Sequence, residues 1–162
     1  MILRPALPEE AAPLARLLAA AFLDYVRGIG RDTPGPHDWL PERIAAGDIH
    51  VATDPGGALT GMLALSWDGG ARVLTIDLLA VDPAGQGRGT GRALLAHAEA
   101  LARHRGAAAL RLHTVARYDH LVRFYTGAGY AVTHLGPRPR GEDDGHPRAF
   151  LMKPLAKETG AA

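Results

Sequence analysis

The glycine-rich stretch at residues 81–92 has the composition of an anion-binding loop. Glycine occupies every second position from 85 to 91, after an apolar segment and before an amphipathic one. Glycines let the backbone turn tightly and expose consecutive N–H groups, and a helix start adds unpaired N–H groups with partial positive charge. Arg88 and Arg92 could add charge-assisted hydrogen bonds to phosphate oxygens. The stretch therefore predicts an anion site, with a strand–helix connection that binds nothing as the alternative.

The spacing of these glycines disfavours two common nucleotide-binding loops. The dinucleotide pattern G-x-G-x-x-G requires a third glycine where Thr90 stands, and Arg105 and Arg111 occupy the region where an acid is expected. The pattern G-x-x-x-x-G-K-[ST] requires a lysine, and the first lysine of the chain is Lys153. We therefore do not expect a nicotinamide or nucleoside triphosphate enzyme.

Two side chains could handle protons. Asp77 lies in the middle of an apolar segment, and an acid there costs free energy unless it is paired or hydrated. It is a candidate general base, or a structural carboxylate bonded to Arg111 or His113 on the neighbouring strand. His113 is the rival base because its ordinary pKa of about 6.5 suits proton transfer, although it could equally be a polar residue on a strand face.

Composition and charge exclude several classes of site and partner. The chain has 162 residues, a net charge of +1 and no cysteine, which excludes disulfides, thiolate zinc sites and a cysteine nucleophile. Ser66 is the only serine and lies outside any G-x-S-x-G elbow, so a serine hydrolase is disfavoured. The histidines show no metal-ligand spacing, so we expect no metal. The near-zero net charge gives no general attraction to nucleic acid or anionic membrane, and neither is expected as a partner.

The N-terminal region and the apolar runs favour the cytoplasm. The run at residues 17–23 has only seven residues and ends at Asp24, far short of the about 20 that a membrane span needs. The first residues lack the layout of a secretion signal. We therefore expect a cytoplasmic protein.

Periodicity and turn residues predict a mixed sheet with helices, which is an α/β (α+β) fold of about six to seven strands and about four helices. The predicted strands are 2–4, 49–53, 59–67, 72–81, 108–114, 130–135 and 149–153, and the predicted helices are 8–25, 39–46, 91–105 and 119–127. We expect one domain over residues 1–156 and a short tail at 157–162. The glycine-rich loop lies between the fourth strand and the third helix.

Three motifs, in their order and spacing, carry a family resemblance. Gln86-x-x-Gly89-x-Gly91 follows a strand that ends in Val81-Asp82-Pro83, and Phe124-Tyr125-Thr126-Gly127-Ala128-Gly129-Tyr130 comes about forty residues after the loop. The closing strand contains Met152-Lys153. This pattern resembles the GNAT superfamily of acyl-CoA-dependent N-acyltransferases, and the resemblance extends over nearly the whole chain.

The resemblance is uneven along the chain. It is strongest at residues 75–130 and weakest at 28–47, where acceptor specificity usually resides in this family. Tyr25, Arg31 and Trp39 belong to the segment that commonly lines the acceptor pocket. Tyr118 stands where the family often has an asparagine that helps hold the pantetheine arm, so that contact is not carried over.

The resemblance implies acetyl transfer from acetyl-CoA to a primary amine of a small molecule or peptide, by direct attack in a ternary complex. The central strands should splay to admit the acyl-CoA. Backbone groups of Leu79, Ala80 and Val81 should then hold the pantetheine and thioester. The N–H groups of the loop should hold the pyrophosphate; these are Gln86, Gly87, Arg88, Gly89, Thr90 and Gly91.

The resemblance also assigns the proton transfers. Tyr125 matches the tyrosine that can protonate the departing thiolate, although it could instead be a packed aromatic residue. Asp77 lies four residues before Val81, where many relatives carry a glutamate that acts directly or through water. A non-catalytic acyl-CoA-binding regulatory domain is the alternative, which keeping Tyr125 and Asp77 disfavours. A homodimer is a further option because dimers are frequent among relatives.

Overall fold

The sheet orders its seven strands as β1-β2-β3-β4-β5-β7-β6 in the computed structural model, which describes residues 1–156. Four helices accompany it, and this confirms the predicted fold class. The strands are β1 (Ile2–Pro5), β2 (Ile49–Thr53), β3 (Leu59–Asp68), β4 (Val73–Val81), β5 (Ala109–Val115), β6 (Ala131–Gly136) and β7 (Arg148–Pro154). The helices are α1 (Ala11–Arg27), α2 (Leu40–Ala45), α3 (Thr90–His104) and α4 (Asp119–Gly127).

The start of α1 differs most from its predicted position. The sequence predicts a helix from Pro8, whereas Pro8–Glu10 forms a 3-10 turn and the α-helix begins at Ala11. Glu10 is the reason, because its carboxylate accepts the N–H of Leu7 at 2.8 Å and is bound by Arg4 at 2.8 and 2.9 Å. These bonds close a separate turn before the regular helix starts.

The chain divides into two compact units, each built from two segments. Met1–Leu65 with Asp77–Ala98 forms the first unit, and Ser66–Ile76 with residues 99–156 forms the second. That residues 1–156 form one domain stays a prediction, and the predicted tail at 157–162 lies outside the described residues.

The core of the first unit joins α1 and α2 to β2 and β3. Its fully buried members include Leu14, Leu18, Leu40, Val51 and Met62. Leu14 and Leu18 are four residues apart, so they lie on one face of α1. Burial of this face fixes α1 against the strands, and burial of Leu40 fixes α2 in the same way.

The second unit is built on antiparallel pairing of β7 with β5 and β6. Val73–Thr75 of β4 also runs parallel to β5 in this unit, over three residue pairs. Whether the central strands splay to admit a ligand stays a prediction. Among the described residues, no helix is both long and apolar enough to span a membrane.

The long connection between β6 and β7 is held by its own acids. Arg148 is buried and donates to both carboxylate oxygens of Asp144, at 3.1 and 2.9 Å, and to the carbonyl of His146. Asp143 accepts the N–H of Gly145 at 2.9 Å. The hydrogen bonds of Asp143 and Asp144 therefore stabilise the conformation of this connection.

Candidate active site

The glycine-rich loop leaves β4 through a capped turn and enters α3. Asp82 accepts the N–H of Ala84 at 3.1 Å and so caps a 3-10 turn at Pro83–Gly85. Gly87 and Gly89 then have φ angles of +83° and +81°, a conformation that other residues rarely adopt. A Cβ placed on either glycine would have no atom of the described residues within 4 Å apart from the glycine and its two chain neighbours, so the space beside the loop is open.

An open loop of this kind fits an anionic ligand. Backbone N–H groups at a helix start, with Arg88 and Arg92 beside them in the chain, supply donors and positive charge where side chains leave room. That residues 86–91 hold the pyrophosphate of acyl-CoA stays a prediction.

The start of α3 is held against β3 by a close approach that only glycine permits. A Cβ at Gly61 would lie 2.9 Å from Leu94 Cδ1 and 3.0 Å from both the carbonyl oxygen of Ala80 and Thr90 Cγ2. Thr90 is buried, and the N–H of Asp82 donates to the carbonyl of Thr60 at 2.9 Å. Gly61 therefore positions both ends of the loop. Gly61 is not among the residues predicted from the sequence, although an isolated glycine within a strand signals such an approach.

A histidine pair adds a second link between α3 and the strands. Nε2 of His97 on α3 lies 3.0 Å from Nδ1 of His50 on β2. Burial lowers the pKa of both imidazoles below the ordinary value. Both rings are therefore neutral at pH 7, when one nitrogen can donate to the other.

Residues 79–81 form the end of β4 that leads into the loop. The side chain of Ala80 is buried in the core of the first unit, while Leu79 and Val81 are half-buried. Their predicted contacts with pantetheine and thioester stay predictions.

Asp77 on β4 is bound by Arg43 of α2. Nη2 of Arg43 lies 2.9 Å from Asp77 Oδ2 and 2.5 Å from the carbonyl oxygen of Leu65, and Nε lies 3.6 Å from Asp48 Oδ2. We call Arg43, Asp48 and Asp77 the Arg43 cluster. Its two carboxylates and one guanidinium leave one negative charge in excess.

Arg43 was not among the partners that the sequence suggested for Asp77. The sequence predicts Arg111 or His113 on the neighbouring strand, and Arg111 Nε donates to Thr75 Oγ1 at 2.8 Å. An acid in a central strand does signal a cationic partner. The sequence gives no means of choosing one that lies 34 positions away on a helix.

Tyr125 lies on α4, in the second unit, and is buried among aromatic rings. Its ring centroid is 5.1 Å from that of Phe124 and 6.0 Å from that of Tyr130, both in edge-on geometry. Its carbonyl accepts the N–H groups of Ala128 and Tyr130 at 3.0 and 3.1 Å. The packing holds the ring in place, and its part in catalysis stays a prediction.

His113, the rival base, is an exposed residue of β5 in the second unit. Its ring packs on that of Phe150, with centroids 5.6 Å apart. Asp77 and residues 79–81 and 86–91 all belong to the first unit. Within residues 1–156 no three histidine or acidic side chains are grouped as metal ligands would be.

Comparisons with known proteins identify the family. The family model described as "Acetyltransferase (GNAT) family" matches residues 14–130. Streptothricin acetyltransferase from Streptomyces lavendulae is 36% identical over 85 residues, which are 52% of this chain and 45% of that protein. The chain therefore matches less than half the length of this curated relative.

Solved structures agree in fold. Nourseothricin acetyltransferase has a TM-score of 0.72 at 24% identity, with 96% of this chain and 98% of that chain covered. PaiA N-acetyltransferase from Thermoplasma acidophilum, solved in complex with coenzyme A, has a TM-score of 0.73 at 18% identity, with 95% and 98% covered. With more than half of the sequence matched by the family model, the chain belongs to the acetyltransferase (GNAT) family.

Proposed function

We propose that the protein is an N-acetyltransferase that moves the acetyl group of acetyl-CoA to a primary amine of a small molecule or peptide. The open loop at residues 86–91, with its positive-φ glycines at the start of α3, is the observation that carries this proposal. It matches what the pyrophosphate of a CoA ester requires: many N–H donors and space beside them. Membership of the family and the coenzyme A complex of the PaiA enzyme support the choice of ligand.

The reaction is direct attack of the amine in a ternary complex. An acceptor that arrives as an ammonium ion first loses one proton to solvent. The neutral amine nitrogen then forms a bond to the carbonyl carbon of the thioester, the carbon–sulfur bond breaks, and the nitrogen gives up a second proton. Asp77 accepts the proton that the nitrogen loses, directly or through a water molecule, and Tyr125 gives a proton to the departing thiolate. Backbone groups of residues 79–81 hold the acyl end so that the amine meets the carbonyl in a reactive geometry.

The charge of the Arg43 cluster favours a cationic acceptor. Its excess negative charge attracts an amine in the ammonium form, which is the form that most amines have at pH 7. Streptothricin is the acceptor named for the S. lavendulae relative, so we propose an antibiotic amine of that kind as the first acceptor to test.

Thermal unfolding with acetyl-CoA, CoA, NADH and ATP tests the ligand. At about 100 times its dissociation constant a ligand adds about 2.7 kcal/mol, which raises the melting temperature of a chain of this size by several degrees. We expect a rise with acetyl-CoA and CoA alone. A larger rise with NADH or ATP would contradict the assignment of the loop.

Substitutions in the loop separate charge from backbone strain. Gly89→Glu should abolish the rise in melting temperature with CoA, because a carboxylate would stand where the pyrophosphate binds. Gly89→Ala carries the same backbone strain without the charge, so the difference between the two variants measures the effect of the charge. Gly106→Glu is the matched control, since Gly106 has a φ of +74° and open surroundings just after the other end of α3. It should lower the melting temperature and leave the rise with CoA intact.

A thiol-release assay tests turnover. Wild-type protein with acetyl-CoA is given streptothricin, spermidine, free lysine or a peptide with a free N-terminus, and CoA release is followed. Release that depends on the amine supports the enzyme. CoA binding without release for any amine favours the non-catalytic acyl-CoA-binding domain.

A further inference from the structure

Arg43 holds the carboxylate of Asp77 through a donor that is itself anchored on the main chain. The same nitrogen, Nη2, contacts Asp77 Oδ2 at 2.9 Å and the carbonyl oxygen of Leu65 at 2.5 Å. A main-chain carbonyl in a strand has a fixed position, so the donor that contacts it is fixed as well. The carboxylate is therefore held from a defined direction.

The helix that carries Arg43 is held equally firmly. Leu40 and Ile44 of α2 are buried in the core of the first unit, on either side of Arg43 in the chain. After α2 the chain reverses at Gly47, which has a φ of +79°, and the N–H of Asp48 donates to the carbonyl of Arg43 at 3.0 Å. This reversal brings the carboxylate of Asp48 to 3.6 Å from Nε of Arg43.

Asp48 changes what the cluster offers to a substrate. Arg43 and Asp77 alone would cancel each other's charge. With Asp48 as a second partner of the guanidinium, the cluster keeps one negative charge in excess, and its three side chains stay partly exposed, from 25% for Arg43 to 40% for Asp48. The arrangement orients Asp77 without cancelling the attraction for an ammonium group.

We infer that Arg43 is a positioning residue of the transfer reaction, which acts by orienting Asp77 toward the proton of the acceptor amine. The inference rests on the proposed function and extends it to a residue on α2. As the amine nitrogen bonds to the acetyl carbon, its proton passes to Asp77 directly or through water. The carbon–sulfur bond breaks, and the sulfur takes its proton from Tyr125. Arg43 exchanges no proton in this sequence.

A double-mutant cycle on Arg43 and Asp77 tests the inference. Arg43→Met, Asp77→Asn and the double variant are assayed for kcat and for the KM of acetyl-CoA, with the amine that wild type acetylates. We expect Arg43→Met to lower kcat about tenfold in wild type, because misplacing a proton acceptor by a fraction of an ångström slows transfer. In the Asp77→Asn background, Arg43→Met should lower kcat by less than about twofold. The KM of acetyl-CoA should stay unchanged in all three variants.

A matched control separates positioning from general loss of an ion pair. Arg4→Met also removes an arginine from a carboxylate, since Arg4 binds Glu10 at 2.8 and 2.9 Å in the same unit. It should leave kcat unchanged. Arg43→Lys keeps the charge without the planar fork, so it should recover part of the lost kcat. If Arg43→Met fails to fold, Arg43→Lys takes its place in the cycle.

Four results would overturn the inference. An unchanged kcat in Arg43→Met, or an equal loss of kcat in both backgrounds, would mean that Arg43 does not act through Asp77. A loss of kcat in Arg4→Met as large as that in Arg43→Met would indicate a general structural effect. Wild type that acetylates no amine of the panel would overturn the proposed function, and this inference with it.

Discussion

Two charged groups of the molecule have nearly the same geometry and opposite net charge. In the first unit, Arg43 binds the carboxylate of Asp77 and the carbonyl of Leu65. In the second unit, Lys153 binds the carboxylate of Glu99 at 2.8 Å and the carbonyl of Ala128 at 2.9 Å. Cation and carboxylate are about one-quarter exposed in both, at 25% and 26% in the first and 24% and 26% in the second.

The two groups differ in net charge because each contains a different third charged residue. Glu99 also binds Arg103 at 2.9 Å, so the group of Lys153, Glu99 and Arg103, the Lys153 cluster, carries one positive charge in excess. Lys153 also lies over Gly129, where a Cβ would come within 3.1 Å of Lys153 Cε. This cluster closes the turn after α4 and repels an ammonium group, whereas the Arg43 cluster attracts one. We therefore expect the Lys153 cluster to contribute to stability and, under the proposed function, the Arg43 cluster to contribute to turnover.

Removal of the carboxylate of Asp77 should have the largest effect. Asp77→Asn keeps the size of the side chain and cannot accept the amine proton, so we expect kcat to fall about 100-fold, with the affinity for acetyl-CoA unchanged. Steady-state kinetics and a CoA binding titration measure the two quantities. Asp48→Asn is the matched control from the same cluster and should lower kcat much less. Equal losses in both variants would assign the effect to charge alone.

Tyr125→Phe should have the next largest effect. We expect kcat to fall about tenfold, which is less than for Asp77→Asn, because a thiol with a pKa of about 8.5 already leaves readily as the thiolate. Tyr130→Phe is the control for the loss of a neighbouring tyrosine hydroxyl, since the ring of Tyr130 packs on that of Tyr125. Burial raises the pKa of the Tyr130 hydroxyl above the ordinary value of 10.0. Full activity of Tyr125→Phe would assign this residue to packing alone.

Disruption of the Lys153 cluster should affect stability more than turnover. Lys153→Met removes an ion pair and a hydrogen bond to a carbonyl, which should cost about 1 kcal/mol, or about 2–4 °C of melting temperature in a chain of this size. At 25 °C kcat should stay within about twofold of wild type. Thermal unfolding and the thiol-release assay measure the two. If kcat fell as far as in Arg43→Met, the contrast between the two clusters would be lost.

The elements and the loop could be predicted because their signals are local. The apolar repeat of α3 and the glycine after its last turn place that helix within one residue of its observed bounds. The open turns at Gly87 and Gly89 follow from the glycines themselves. Such signals act over a few residues, and tertiary packing did not override them.

The partners of Asp77 and the role of Gly61 depend on contacts between distant parts of the chain. Arg43 reaches Asp77 because burial of Leu40 and Ile44 fixes α2, and no local pattern encodes that packing. A glycine in a strand signals a close approach but does not say which element approaches; here it is the start of α3. The loop and the acid could therefore be picked out from the sequence as candidates, but Gly61 and Arg43, which contact them, could not.

The pH dependence of stability gives the smallest expected effect, and it tests what the Lys153 cluster does. The hydrogen bond from Lys153, assisted by Arg103, lowers the pKa of the Glu99 carboxyl below its ordinary value of 4.5. The unfolded chain therefore takes up the proton of Glu99 at a higher pH than the folded chain. The resulting stabilisation is present above about pH 4.5 and is lost as the pH falls through the folded pKa.

The difference in unfolding free energy between wild type and Lys153→Met should thus be largest near pH 6 and shrink toward pH 3, as urea unfolding at successive pH values would measure. In a Glu99→Gln background the same substitution should cost a constant amount over this range. A difference that stays flat in wild type as well would show that Lys153 stabilises the turn through the carbonyl of Ala128 and its packing over Gly129, so the two clusters would differ in the kind of contact they use as well as in their charge.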